Sequence, residues 1–398
     1  MNALESIRAL LAEVVPRNRF QAAKLAGVRE IASLEDFTAR VPLTTKAELA
    51  ADFAAHPPYG SNLTYPRERY TRFCQTSGTT SQPLAILDTP ESWEWMLGNW
   101  RRIYIEGGVP AGEAVYFAFS FGPFLGFWTA FEAAARHGCL CIPGGGMGSA
   151  ARLRAIIAHR AGALCCTPTY ALHLASAAEA EGISLADSAV RKIFVAGEPG
   201  GSVPAVRERI SSAWNGAEVL DHYGMTEVGP VAYQRTGEPG VLYVNEASYF
   251  AEVIDPHTRC SVAPGELGEL VLTPLGRAAW PLLRYRTGDL VRREAGGQLI
   301  GGILGRADDM VVVRGVNIWP SAVDAVVRGL AEIAEYRVTV SRRGEMAEIA
   351  MEIESVDDTA ATRLERALAD AFTLRIPVAR VEGLPRFELK ARRWRAAE

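Results

Sequence analysis

Ala114-Val-Tyr-Phe-Ala-Phe-Ser-Phe121, Trp128-Thr-Ala-Phe-Glu-Ala-Ala-Ala-Arg-His-Gly138 and Cys139-Leu-Cys-Ile-Pro143 follow one another as strand, helix and strand. The same rhythm continues downstream. Residues 149–162, SAARLRAIIAHRAG, have helical spacing, and 163–170, ALCCTPTY, read as extended. Residues 170–182 are helical again, and Lys192-Ile-Phe-Val195 reads as a strand running into Ala196-Gly-Glu-Pro199. Short apolar runs alternating with helical periodicity imply a parallel sheet with crossover helices. In such a sheet ligands gather at the carboxyl ends of the strands, so the loops there are the places to look for chemistry.

Beyond about residue 240 the rhythm changes to short strands separated by Gly, Pro and Asp turns, as in a small barrel. A third pattern starts near Asp309. It reads β-α-β-β-α-β: a strand at 310–315, a helix at 321–333, a hairpin at 336–354, a helix at 359–372 and a strand at 377–382. The expected fold class is α/β. A large N-terminal domain (1–305) would hold parallel sheet layers and a small barrel-like subdomain, and a small α+β C-terminal domain would span 306–398.

The chain has 398 residues, 48% hydrophobic and 22% charged, enough apolar surface for a large core and unlike a disordered protein. A net charge of -4 argues against a nucleic-acid partner. Cys74, Cys139, Cys141, Cys165, Cys166 and Cys260 form no C-x-x-C pair, so they read as buried thiols of a reducing compartment. The N-terminus lacks the pattern of a signal peptide. The uncharged run 114–131 is interrupted by Gly122-Pro123, so it reads as a pocket wall, with no membrane partner expected. A cytoplasmic protein, monomer or homodimer, is the expectation.

Four segments carry chemistry. Thr76-Ser-Gly-Thr-Thr-Ser-Gln-Pro83 is a hydroxyl-rich turn whose exposed N–H groups suit phosphates, although it is not a Walker A loop. Asp221-His-Tyr-Gly-Met-Thr-Glu227 offers a ring for stacking, a hydroxyl for phosphate and a hard carboxylate of the kind Mg²⁺ prefers. Arg284-Tyr-Arg-Thr-Gly-Asp289 places a carboxylate after a glycine turn, where it can accept both hydroxyls of a ribose. Gly305-Arg-Ala-Asp-Asp-Met310 and Arg314-Gly-Val-Asn-Ile-Trp-Pro320 form the fourth. Each alone could be turn chemistry; their order and separation are harder to dismiss.

Together, TSGTTSQP, HYGMTE, YRTGDL, GRADDM and RGVNIWP resemble the signatures of the acyl-adenylate-forming superfamily. TPTYALHLA, AGEP, PLLRYRTGDL and RGVNIWPSAV are most similar to its phenylacetate–coenzyme A ligase branch, from roughly residue 40 to the C-terminus. The resemblance implies ATP-dependent activation of a small aromatic acid through an acyl-AMP, with Mg²⁺, and transfer to coenzyme A. It places Thr76, Ser77, Gly78, Thr79 and Thr80 on the phosphates, Gly197, Glu198 and Pro199 beside adenine, and Tyr223 with Gly224 against it. Thr226 and Glu227 would serve phosphate and Mg²⁺, and Asp289 with Arg306 the ribose. Asp308 would be the hinge, Arg314 and Gly315 would line the path of the thiol, and Lys390 in Phe387-Glu-Leu-Lys-Ala391 would reach the α-phosphate.

Three departures stand out. Ser81 and Gln82 occupy the usual glycine and lysine positions of the phosphate loop. The cysteines found in many relatives are missing around Gln234 and 293–302, so no structural zinc is expected. FELKA also has leucine where a small residue is usual before the lysine.

Eight aromatic residues lie between Tyr116 and Phe131. Phe119, Phe121, Gly122 and Phe124, with Tyr170, are candidates for the acid pocket, and core packing is the alternative. The loop Gly144-Gly-Gly-Met-Gly148 lacks dinucleotide spacing and reads as a close-approach loop or a plain turn. His222 reads as a packing residue. Arg392, Arg393 and Arg395 could meet coenzyme A phosphates or form a solvated tail. Two other functions compete: an adenylating enzyme that hands its acyl group to a carrier protein or an amine, and a non-catalytic nucleotide-binding relative.

Overall fold

The computed structural model describes residues 2–28, 30–76, 83–314, 316–343, 346–385 and 393–397. Its largest sheet has eight strands. They run in the order Gln298–Ile300, Val241–Val244, Gly229–Tyr233, Glu218–Met225, Lys192–Val195, Ala163–Cys166, Ala114–Phe117, Leu140–Pro143. The last five are mutually parallel and are joined through helices; from Glu218–Met225 outward the other three pair antiparallel.

Alternation along each parallel strand builds two cores. Val115, Phe117, Ala163, Cys165, Phe194 and Leu220 pack with the helices Pro90–Glu106 and Leu125–His137. Tyr116, Leu164, Cys166, Ile193, Val195 and Val219 face the opposite way, onto Ser149–Ala158, Pro168–Ala180 and Pro204–Ala213. This is a doubly covered α/β sheet, as the strand–helix rhythm predicts.

A second sheet, Tyr249–Ile254, Leu267–Pro274, Tyr285–Arg292 and Gly305–Arg306, is antiparallel and forms the small barrel-like part. Thr44 joins its Tyr285 strand through two backbone hydrogen bonds, Thr44 N–H to Arg284 O and Arg286 N–H to Thr44 O. The hairpin Arg72–Gln75/Ala85–Asp88 stands apart.

From Val311 a third sheet builds its own core from Val313, Ile318, Val323, Val338, Met351, Leu364 and Leu368. It is α+β, but it carries two more strands than the sequence pattern suggests. Val316–Ile318 folds back on Val311–Val313, and Trp394–Ala396 joins Ile333–Arg343 in parallel. The second strand corrects the solvated-tail reading. Arg393 is held by Glu335 at 2.6 Å and 3.2 Å and lies over Tyr336, which fixes it inside the small domain. Arg392 lies outside the described residues.

Two other expectations need correction. The strand expected over 114–121 ends at Phe117, and Phe121 takes a left-handed φ of 53°. The cysteines are all free, but only Cys74, Cys165 and Cys166 are buried. Cys139 and Cys141 are half-buried on the edge of the large sheet, and Cys260 is exposed in a turn. Among the described residues no helix is long and apolar enough to cross a membrane.

Candidate active site

The strand Glu218–Met225 pairs parallel on one side and antiparallel on the other, so the sheet changes character along it. A bulge follows Tyr223, where Gly224 passes so close to the next strand that a Cβ would lie 2.8 Å from Gly229 O. The Tyr223 hydroxyl then donates to Asp289 Oδ2 at 2.6 Å. Asp289 also meets Arg306 at 3.3 Å, and Arg306 grips Asp308 with two bonds of 2.9 Å. Burial, reinforced by Asp289, pushes the Tyr223 phenol well above its usual pKa. Burial works against the charge of Arg306, but Asp308 and Asp289 outweigh it and keep the guanidinium protonated.

Thr226 and Glu227 follow at the turn after this strand. Arg277 donates to both of their carbonyls at 2.9 Å and is paired with Asp88, each side chain at most 1% exposed. This buried pair is satisfied at several donors, which offsets the cost of desolvating it. The Glu227 carboxylate, 6% exposed, has Lys46 Nζ at 3.2 Å and accepts from the Tyr285 hydroxyl at 3.5 Å. No group of three acidic, His or Cys side chains that could hold a metal occurs among the described residues. The single shielded Glu227 carboxylate nevertheless fits Mg²⁺, which keeps waters and substrate oxygens as its other ligands.

Thr76 is buried. Its N–H bonds Leu84 O at 3.1 Å, and its hydroxyl accepts from Leu84 N–H at 3.0 Å, so the two residues are clasped to each other. Ser77, Gly78, Thr79, Thr80, Ser81, Gln82, Gly315 and Lys390 lie outside the described residues. Gly197 has a φ of 90°, and Glu198, followed by Pro199, accepts from Thr169 N–H at 2.7 Å at the start of the helix Pro168–Ala180. Arg314 pairs with Glu348 of its own sheet at 3.3 Å and is exposed.

On the other flank, the aromatic run divides into core and wall. Tyr116 and Phe117 are fully buried. Phe119 stacks on Phe127 at 4.4 Å, Phe121 meets Trp128 and Phe131 edge-on, and Phe124 meets Phe127 edge-on. The bend at Phe121 and Gly122 is pinned by Trp128 Nε1–H to Gly122 O at 3.0 Å and by Gln75 N–H to Pro123 O at 2.8 Å. Arg152, nearly buried, donates to Gly144, Ala118 and Phe119 carbonyls and lies 5.1 Å over the Tyr170 ring. The glycine loop and Tyr170 are thereby fastened to the aromatic wall. His222 lies 4.3 Å from Trp100, and burial lowers its pKa to about 3, so it is neutral packing.

Lys46, Arg277, Tyr285 and Arg152 were not anticipated. Lys46 carried one signal, the capping box of Thr45 and Glu48 that starts the helix Lys46–Ala55 and fixes where its first side chain points.

The chain matches the family described as AMP-binding enzyme over residues 19–274 and the AMP-binding enzyme C-terminal domain over 315–395. It is 32% identical to the phenylacetate-coenzyme A ligase of Pseudomonas putida over 82% of this chain and 74% of that one. The Thermus thermophilus phenylacetate-coenzyme A ligase is 31% identical over 88% and 80%. The structure superposes on 2-hydroxyisobutyryl-CoA ligase in its postadenylation state with a TM-score of 0.93, at 28% identity, over 100% of this chain and 90% of that one. Against the same ligase in its thioesterification state the TM-score is 0.74, at 29% identity, over 99% and 88%.

Proposed function

The chain belongs to the AMP-binding enzyme family, and from that premise we propose that it is an AMP-forming ligase activating a small aromatic carboxylic acid. Its acceptor is coenzyme A, as in the phenylacetate-coenzyme A ligases it resembles. The observation that carries the reading is the run of bonds Tyr223–Asp289–Arg306–Asp308 beside Glu227.

In the first step the carboxylate of the acid attacks the α-phosphorus of ATP, and pyrophosphate leaves. In the second, the thiol attacks the acyl carbonyl and AMP leaves. Both partners in the first step are anionic, so their repulsion must be neutralised. Tyr223 lies against the adenine with Gly197 to Pro199 on its other border. Asp289, held by Tyr223 and Arg306, would meet the ribose hydroxyls. Thr76 to Thr80 and Thr226 bond the phosphates, and Lys390 approaches the α-phosphate. Glu227 would hold Mg²⁺, which supplies charge neutralisation at the phosphates. Lys46, 3.2 Å from the Glu227 carboxylate, balances its charge.

The two functional units are 1–305 and 306–398, with Asp308 as the hinge. The better superposition on a postadenylation state than on a thioesterification state supports a pose that follows adenylation. A carrier-protein thiol is the second reading for the acceptor. It is favoured by Arg393, which is engaged with Glu335 and not open to coenzyme A phosphates. The test is ATP–pyrophosphate exchange across benzoates, phenylacetates and short aliphatic acids, with coenzyme A then added to the best substrate. Exchange driven only by aliphatic acids would sink the aromatic assignment.

A further inference from the structure

We infer that Ser149, Tyr170 and His173 form a hydrogen-bonded rail that selects aromatic acids carrying a ring hydroxyl or amino group; this rests on the acid-ligase reading above. Ser149 Oγ lies 3.2 Å from the Tyr170 hydroxyl and 3.0 Å from His173 Nε2. Ser149 opens the helix after the glycine loop, and Tyr170 and His173 stand one turn apart on the helix after the strand Ala163–Cys166. Both helix starts lie at the carboxyl ends of parallel strands. The row runs inward from exposed His173 through half-buried Ser149 and Tyr170. Its inner end is at the site, because Arg152 spans the Tyr170 ring and the Phe119 carbonyl. On its other side the same helix start bonds Glu198, in the loop assigned to the adenine border.

The chemistry follows from the donors and acceptors available. If His173 Nε2 carries the proton, it donates to Ser149, Ser149 donates to Tyr170, and the Tyr170 proton is free for the substrate. If Nε2 is bare, both bonds reverse, and Tyr170 donates to Ser149 and offers an oxygen lone pair. The rail thus presents a donor or an acceptor as the substituent requires, which suits hydroxyl and amino groups alike. An unsubstituted ring in the same place would leave the Tyr170 hydroxyl with Ser149 alone and forgo the second bond, and a site built to bond a polar group discriminates against an analogue lacking it.

The experiment compares kcat/KM in ATP–pyrophosphate exchange for benzoate and for each hydroxy- and aminobenzoate isomer. In the unaltered protein the best substituted acid should exceed benzoate by about tenfold or more. Ser149→Ala and Tyr170→Phe should pull that ratio toward one, and Ser149→Thr should restore it. His173→Leu, at an exposed position that folding tolerates, should also lower it. A purely structural pin between the two helices would lower all acids together and leave the ratio unchanged, which would overturn the rail. Equal use of benzoate by the unaltered protein would overturn it too, while leaving the ligase assignment intact. If no aromatic acid supports exchange, the aromatic assignment falls, and the rail with it.

Discussion

The two flanks of the site are built on opposite principles. The flank assigned to the nucleotide is a set of paired charges in which every carboxylate is buried: Asp88 with the equally buried Arg277, and Glu227 and Asp289 with the more exposed Lys46 and Arg306. The flank assigned to the acid is a wall of half-buried rings that touch mainly one another, with one polar row beside it. Paired charges tolerate little change, because removing one partner leaves the other buried and unsatisfied. A wall of rings can be reshaped by single substitutions costing about 1–3 kcal/mol each. The nucleotide side suits a constant substrate, and the acid side suits a variable one.

The sharpest way to break this contrast is Lys390→Ala. It should lower adenylation by at least about 100-fold with every acid tested, the scale of one lost charge-stabilising group. Attack of the thiol on supplied acyl-adenylate should persist, as single-turnover assays of each half-reaction would reveal; equal loss of both steps contradicts the assignment. Next in size, Asp289→Asn removes the charge that Tyr223 and Arg306 share and should raise the KM for ATP by about tenfold or more, at about 1.5–3 kcal/mol for a charged hydrogen bond. The KM for the acid should barely move. Phe124→Ala should do the converse, raising the KM for an aromatic acid roughly tenfold and leaving that for ATP within about twofold. If both variants shifted both constants alike, the flanks would not be separable.

The smallest effect is on stability. His222 is held neutral in the fold, with its pKa lowered by burial to about 3 from 6.5. The unfolded chain therefore binds the extra proton between those values, and this residue's contribution is lost as the pH falls below 6.5. Asp221, raised by burial to about 6 from 3.8, acts in the opposite sense, since the folded state takes its proton first as the pH falls. Melting curves of His222→Phe against the unaltered protein isolate the histidine. The difference should grow in the variant's favour below pH 6.5, by at most about 1.4 kcal/mol per pH unit. A difference independent of pH would mean that the imidazole is not held neutral.

The parallel strands were legible because four-residue apolar runs bounded by helices have few other solutions, and the four chemical segments because they are local. Strand ends were less so. Nothing in Ala118 to Phe121 forbids extension; the strand nevertheless ends at Phe117, and the segment that follows turns at Phe121 and is tied through Pro123 O to Gln75, far upstream. The charged pairs were the least legible. Arg277 stands alone in an apolar stretch, 189 residues from Asp88, and Lys46 reaches Glu227 only because a capping box aims its helix. Arg393 reads as one of several arginines in a tail until a parallel strand and Glu335 claim it.

The Arg277 guanidinium has a kinetic consequence. It fastens the turn at Thr226 and Glu227 to Asp88, the last residue of the hairpin whose first strand leads into Thr76. With Thr76 and Leu84 clasped to each other, this pair and the turn at Thr226 and Glu227 are tied to the same hairpin and have no independent way to open. In native-state deuterium labelling they should behave as one cooperative unit. The amides of Thr76 and Leu84 should exchange at a common, slow rate set by rupture of the Arg277–Asp88 pair, and Arg277→Met should speed both together.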